Sequence, residues 1–206
     1  VYTKYMVYLN RFNQQLLLRA LERSPSVAVL GPRQCGESTL VKHIIKNKNA
    51  IYLDLQLPSE RHKLNEPELF FSNFRNQLVC LDEIQTQPEL FSILRSEIDK
   101  DRRPGRFIFL GSASRDLIKQ TKESLAGRIA FVEMTPFLWC EISAHYTLND
   151  YLLKGGFPES INLKETTNSF DWRRDFISTF LERDIPNLGF YIPVSIMHKL
   201  WQMLAH

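Results

Sequence analysis

Cysteine is scarce in this chain. Cys35, Cys80 and Cys140 are the only three among 206 residues, they lie far apart, and none forms a CxxC pair. That pattern excludes a disulfide framework and a zinc-ligand set, and it fits a reducing, cytoplasmic compartment. No run approaches the roughly 20 apolar residues that a membrane-spanning helix needs. The opening "VYTKYMVYLNRF" lacks the apolar centre of a signal peptide, so no membrane partner is expected. An excess of one charge is also missing. The formal net charge of +3 is scattered, whereas a nucleic-acid face would show as a basic stripe. His43, His62, His145, His198 and His206 have no metal-ligand spacing. Trp139, Trp172 and Trp201 do not interleave with basic residues as a base-stacking array would, and they are expected to anchor packing. No internal repeat or low-complexity segment occurs. What remains is an ordinary globular composition, 44% apolar and 24% charged, enough for one moderate domain or one domain and the start of another.

Apolar spacing then sets the layout. Phe12, Leu16, Leu17, Ala20 and Leu21 predict an amphipathic helix, stopped by Ser24 and Pro25. Five short apolar runs read as buried strands: "VAVL" from Val27, "AIYLDL" from Ala50, "LVCLDE" from Leu78, "RFIFLGS" from Arg106 and "IAFVEM" from Ile129. Helices are expected in "STLVKHIIKN" and in "PELFSILRSEIDK" from Pro88. Strand and helix alternate, which predicts an α/β αβα sandwich with a central, mostly parallel sheet over residues 1–150. From about Tyr151 to residue 206 the pattern is helical. The last helix, after Pro193, meets no stop signal, so the chain reads as truncated at the start of a C-terminal part. Met6 lies close behind Val1, and the residues before it read as an upstream extension.

One stretch carries chemistry. "GPRQCGEST", Gly31 to Thr39, has the spacing of the phosphate-binding loop GxxxxGK[ST] between a strand and a helix. Such a loop aims backbone N–H groups at anionic oxygens. Gly31 and Gly36 supply unusual backbone angles, and Ser38 offers a hydroxyl to Mg²⁺. The position of the lysine holds Glu37. Without lysine, the bare pattern fits a chance glycine turn equally well. A second element is "LVCLDEIQ", a strand ending in two carboxylates. In a Walker B arrangement Asp82 reaches the Mg²⁺ shell and Glu83 activates the attacking water. A third, "FIFLGSAS", brings Ser112 and Ser114 to the end of another strand. Open α/β sheets bind ligands at the carboxyl ends of their strands, so the three elements are expected on one edge.

Taken together, "VAVLGPRQCG", "IYLDLQLPSER", "LVCLDEIQTQPELFSILRSEID", "RFIFLGSAS", "SLAGRIAFVEMTPF", "YLLKGGFPES" and "FISTFLERDIPNLG" resemble consecutive blocks of the prokaryotic AAA-type P-loop ATPases of uncharacterised role, which usually carry a C-terminal nuclease-like domain. The resemblance implies an AAA-like core that binds ATP with Mg²⁺. By position it gives Gly31, Pro32, Arg33, Gln34, Cys35, Gly36, Glu37, Ser38 and Thr39 to the nucleotide loop, Ser38 and Asp82 to the metal, and Glu83 to catalysis. Ser112 becomes a sensor of the γ-phosphate, and Arg128 in "LAGR" a candidate arginine finger, cis or supplied within a homo-oligomer. The bland alternative for Arg128 is a surface arginine ahead of a strand, and Arg183 in "LERD" is a weaker candidate.

Glu37 is the departure from that family pattern. Two unit charges about 4 Å apart interact by roughly 4 kcal/mol at an effective dielectric of 20, so exchanging attraction for repulsion swings the site by about twice that before screening. Weak ATP or ADP binding and slow hydrolysis are expected. Three readings are open: a Mg²⁺-dependent ATPase core, a non-hydrolysing nucleotide-binding or interaction module, and the ATPase part of a DNA-associated protein. For the last, no reading helix or stacking platform is in view.

Overall fold

The computed structural model describes residues 8–112, 123–187, 189–190 and 192–204. Helix α1 (Phe12–Arg23) leads into β1 (Ser26–Gly31), α2 (Glu37–Ile45) and β2 (Ala50–Asp54). Two short helices, α3 (Pro58–His62) and α4 (Pro67–Asn73), each start on a proline, where the missing N–H costs nothing. Then come β3 (Leu78–Asp82), a 3₁₀ turn at Ile84–Thr86, α5 (Leu90–Lys100), β4 (Phe107–Ser112) and β5 (Ile129–Glu133). All pairings in the sheet are parallel, in the order β2-β3-β4-β1-β5. The expected α/β sandwich with a central parallel sheet is therefore what forms.

Alternation along the strands explains the two cores. Ala28, Leu30, Leu81, Phe107 and Phe109 point to one face, where Phe71 of α4 and Phe91, Leu94 and Ile98 of α5 cover them. Val27, Val29, Cys80, Ile108 and Leu110 point to the other, under Leu17, Ala20 and Leu21 of α1 and Leu40 and Val41 of α2. Two of the five residues expected to seat α1, Phe12 and Leu16, are instead exposed. The apolar stripe of α1 is thus narrower than its sequence spacing, because only the side turned to the sheet has a neighbour.

Beyond β5 come α6 (Trp139–Ile142), α7 (Leu148–Lys154), α8 (Pro158–Asn162) and α9 (Thr166–Thr179). A π-helical turn at Phe180–Asp184 and one short turn precede α10 (Val194–Leu204), which buries none of its residues. Phe137, Ile142 and Ile161 form a small core here. The Phe137 N–H donates to the Gly156 carbonyl at 2.7 Å, and a Cβ on Gly156 would collide with the Phe137 carbonyl. That close approach ties the segment ahead of α8 to the segment that follows β5.

Because Leu94 is fully buried between α5 and the sheet, Leu94→Ala is expected to lower the unfolding free energy by about 2–5 kcal/mol. Urea denaturation followed by circular dichroism measures it. A loss below about 1 kcal/mol would mean that α5 does not seal this face.

Candidate nucleotide site

The loop between β1 and α2 is built by backbone conformation. Gly36 has φ of 102°, a value that favours glycine, and it caps α2. Gly31 allows close approach, since a Cβ there would lie 2.7 Å from the Cys35 Sγ and 2.8 Å from the Met134 carbonyl. Gln34 (φ 65°) and Glu83 (φ 57°) are the only non-glycine residues with positive φ among the described residues. Both line the same cleft of about 590 Å³. Backbone held in sparsely populated regions gathers at functional sites when surrounding contacts enforce it.

Sheet order brings the loop and the acids together. β4 separates β1 from β3, with Gly31 level with Ser112, so the ends of β1 and β3 flank a groove floored by Leu110 and Gly111. Arg33, Gln34, Gly36, Glu37, Ser38 and Thr39 form one wall, and Asp82 and Glu83 the other. The Ser38 hydroxyl donates to Asp82 Oδ2 at 2.7 Å, and the Glu83 N–H donates to Asp82 Oδ1 at 3.0 Å. Tyr52 on β2, not singled out from sequence, also donates its hydroxyl to Asp82 Oδ2. Gln85 donates its amide to Glu83, while its buried Oε1 has no partner. Pro32 lies exposed at the loop's tip, and Cys35 is fully buried beneath it.

Glu37 is half-buried and turns back into its own loop. Its Oε1 sits 2.9 Å from where a Cβ on Gly31 would be, the same point that the Cys35 Sγ approaches at 2.7 Å. Burial raises the carboxyl above the ordinary range, its own backbone N–H and the neighbouring Cys35 thiol oppose that rise, and the charges of Asp82 and Glu83 add to it. Glu83 is likewise raised, first by burial and then by Asp82, against Gln85 and Arg33. Burial pushes the Cys35 thiol strongly up, so it stays a protonated, inert donor.

Two further residues, Arg11 and Asp184, support the loop without any local signal in the sequence. Arg11, 6% exposed, donates through Nη1 to the Cys35 carbonyl at 2.9 Å and through Nε to Glu141 at 3.2 Å, with its guanidinium 4.4 Å from the Phe137 ring centre. Arg33 pairs with Asp184 at 3.0 Å. From the helical region, Pro158, Glu159 and Trp172 close the cleft.

Arg128 corrects one expectation. It precedes β5 at the opposite, amino-terminal end of the strands, where its carbonyl accepts from the Ser26 N–H at 3.2 Å. Its guanidinium clasps both oxygens of Asp99, at 2.9 and 2.8 Å, and with Arg102 draws the Asp99 carboxyl down to about 2. Within one chain it does not reach the cleft. Ser112 ends β4 beside the loop, and Ser114 lies outside the described residues. Arg183 sits in the π-helical turn and is exposed. No helix among the described residues is long and apolar enough to cross a membrane.

With this geometry in view, comparisons with known proteins give a consistent picture. Residues 23–143 match the family described as an AAA domain, and residues 145–206 match a domain of unknown function, DUF8612. The uncharacterised proteins Mb2031c of Mycobacterium bovis and Rv2008c of Mycobacterium tuberculosis are each 39% identical over 190 residues. That stretch is 92% of this chain but only 43% of each relative. Among solved structures, the Walker-type ATPase PABY2304 of Pyrococcus abyssi shares the fold, with a TM-score of 0.54 at 20% identity over 98% of this chain and 77% of that one. A signal-transduction ATPase with a tetratricopeptide repeat sensor, PH0952 from Pyrococcus horikoshii, gives 0.53 at 12% identity, covering 86% of this chain and 35% of its own.

The raised Glu37 carboxyl has a stability consequence whose sign comes from linkage. A group that holds its proton more tightly when folded costs nothing below its ordinary pKa of 4.5, and it lowers stability progressively as pH rises through the interval up to the folded value. Glu37→Gln keeps a hydrogen-bond acceptor and removes the titration. The variant should therefore melt at a higher temperature than the parent near pH 7–8, with the gain shrinking as pH falls toward 4.5. Thermal melts across that range test it, and a gain independent of pH would contradict the assignment.

Proposed function

The chain belongs to the AAA-domain family, and from that premise we propose that it is an ATP-binding, P-loop ATPase-type core whose affinity and hydrolysis are held down by Glu37. The observation that carries this reading is the 2.7 Å hydrogen bond from Ser38, at the head of α2, to Asp82 at the end of β3. It joins the two motifs at one point on the edge of the sheet where α/β folds bind ligands. Two strained backbone positions in the same cleft support it.

The residues present fit Mg²⁺. A hydroxyl and a carboxylate in direct contact are hard oxygen donors, and the absence of any cluster of three or more His, Cys, Asp or Glu ligands among the described residues suits an ion that keeps its waters and shares phosphate oxygens rather than filling a protein cage. Ser38 and Asp82 would hold it, and bound there it would neutralise charge on the phosphates. In our reading the amides of Gly36 to Thr39 receive the phosphates. Glu83, oriented by its left-handed backbone and by Gln85, takes the proton of the attacking water. Its raised carboxyl weakens that base at acidic pH and restores it as pH rises. We take Ser112, level with Gly31 at the end of β4, as the sensor of the γ-phosphate. Glu37 opposes all of this in two ways. Its charge repels phosphate, and its carboxylate lies back against the loop, beside Gly31 and the Cys35 Sγ, where an incoming phosphate would be received.

We also read residues 1–150 as the ATPase core and residues 151–206 as a separate helical region. The three unpaired cysteines support a reducing, cytoplasmic setting. The chain spans less than half the length of its mycobacterial relatives.

Titration calorimetry with MgATP is the direct test. Glu37→Lys is expected to bind at least about tenfold more tightly than the parent, equivalent to about 1.4 kcal/mol. Equal affinities would mean that the loop is not a nucleotide site.

Catalytic roles separate in that background. Glu37→Lys with Glu83→Gln should retain ATP binding but lose hydrolysis, since the amide keeps shape and cannot accept a proton. Glu37→Lys with Asp82→Asn should lose the Mg²⁺ dependence of binding. A phosphate-release assay in which Glu83→Gln turns over as fast as its parent would remove Glu83 as the base.

A further inference from the structure

The cleft is lined by four carboxylates, Glu37, Asp82, Glu83 and Glu159, and among its described lining residues Arg33 is the only cation. A polyphosphate entering such a cleft needs positive charge beyond what backbone dipoles and one divalent ion supply. Arg33 belongs to the loop itself and its side chain is 29% exposed, so it is within the cleft wall and still able to move. Its Nε is held at 3.0 Å by Oδ1 of Asp184, a carboxylate only 13% exposed. Asp184 ends the π-helical turn Phe180–Asp184. A π turn takes an extra residue and so re-aims the side chains beyond it. Here buried Leu181 anchors the turn, and Asp184 faces the loop.

We propose that Arg33 is the loop cation that meets the phosphates in place of the lysine missing at position 37, and that Asp184 of the helical region competes with the nucleotide for it. This rests on the nucleotide reading above and adds to it a named competitor. A guanidinium can pair with a carboxylate or with a phosphate oxygen through the same N–H fork. Phosphate binding therefore breaks the Arg33–Asp184 pair, and the pair in turn lowers affinity. Since the coupling is reciprocal, bound nucleotide also releases Asp184 and the π-helical turn from the loop. The helical region then has one contact through which it registers the state of the site.

The experiment uses the full chain carrying Glu37→Gln, which removes the repelling charge without supplying a lysine, and MgATP as the probe in titration calorimetry. Added Asp184→Asn should tighten binding by about threefold or more, the scale of a partly exposed ion pair. Added Arg33→Gln should weaken it by at least about fivefold, and Arg33→Lys should recover part of that loss. The variant with both Arg33→Gln and Asp184→Asn should match Arg33→Gln alone within about twofold, because the competitor has nothing left to hold. Affinity unchanged or lowered by Asp184→Asn, in a protein whose circular dichroism and melting match the parent, overturns the proposal. So does an undiminished gain in the absence of Arg33. If Asp184→Asn fails to fold, Asp184→Ser is titrated in its place with the same expectations. Should Glu37→Lys bind no ATP at all, the nucleotide reading fails. If Glu37→Lys binds and Asp184→Asn changes nothing, only the competition fails.

Discussion

Both faces of the parallel sheet are covered by apolar side chains, and this is the constraint on which the site depends. With Val27, Val29 and Leu110 on one face and Leu30, Leu81 and Phe109 on the other all buried, the interiors of β1, β3 and β4 are given to packing. Their chemistry gathers where these strands end. The order β2-β3-β4-β1-β5 then decides which ends meet. β4 sits between β1 and β3, so the glycine loop and the two acids face each other across the width of one strand.

Within that frame the site is unusually acidic. Asp82 is tied down by the Ser38 hydroxyl, the Tyr52 hydroxyl and the Glu83 amide, which fixes its direction without neutralising its charge. Glu37 adds a carboxylate where a phosphate loop ordinarily places a cation. The Glu37 carboxylate lies back against its own loop, close to the Cys35 Sγ. Its own backbone N–H and the Cys35 thiol offset only part of the cost of burying that charge, so its carboxyl stays above the ordinary range. Arg11 holds the loop from behind through the Cys35 carbonyl and is itself neutralised by Glu141. The one cation facing the cleft among its described lining residues, Arg33, is engaged by Asp184. Loop geometry and loop charge are thus set by different parts of the chain, the first by the core and α1, the second largely by the helical region.

Much of this was legible along the chain. The five strands, α2 and α5 announce themselves by apolar runs and helical spacing, and Gly31 to Thr39, Asp82 and Glu83 by position at strand ends. Helix α1 was legible as a helix, while its buried stripe was not, because Phe12 and Leu16 have the right spacing but no neighbour to meet. Arg128 shows the opposite failure. A motif-like "LAGR" ahead of a strand carries no information about which end of the sheet it occupies, and a parallel strand necessarily starts at the end away from the loop. The supports of the site, Arg11, Tyr52, Gln85 and Asp184, had no pattern to reveal them.

The sequence by itself determined the alternation of strand and helix, the spacing of the loop, the pair of acids and the glutamate at position 37, because each is written in neighbouring residues and in periods of two or 3.6. Tertiary structure alone decided that Glu37 folds back into its own loop, that Ser38 touches Asp82 and that Asp184 holds Arg33. The last two contacts join residues 44 and about 150 positions apart, and contacts between such distant residues are set by strand order and layer packing, which no local pattern encodes.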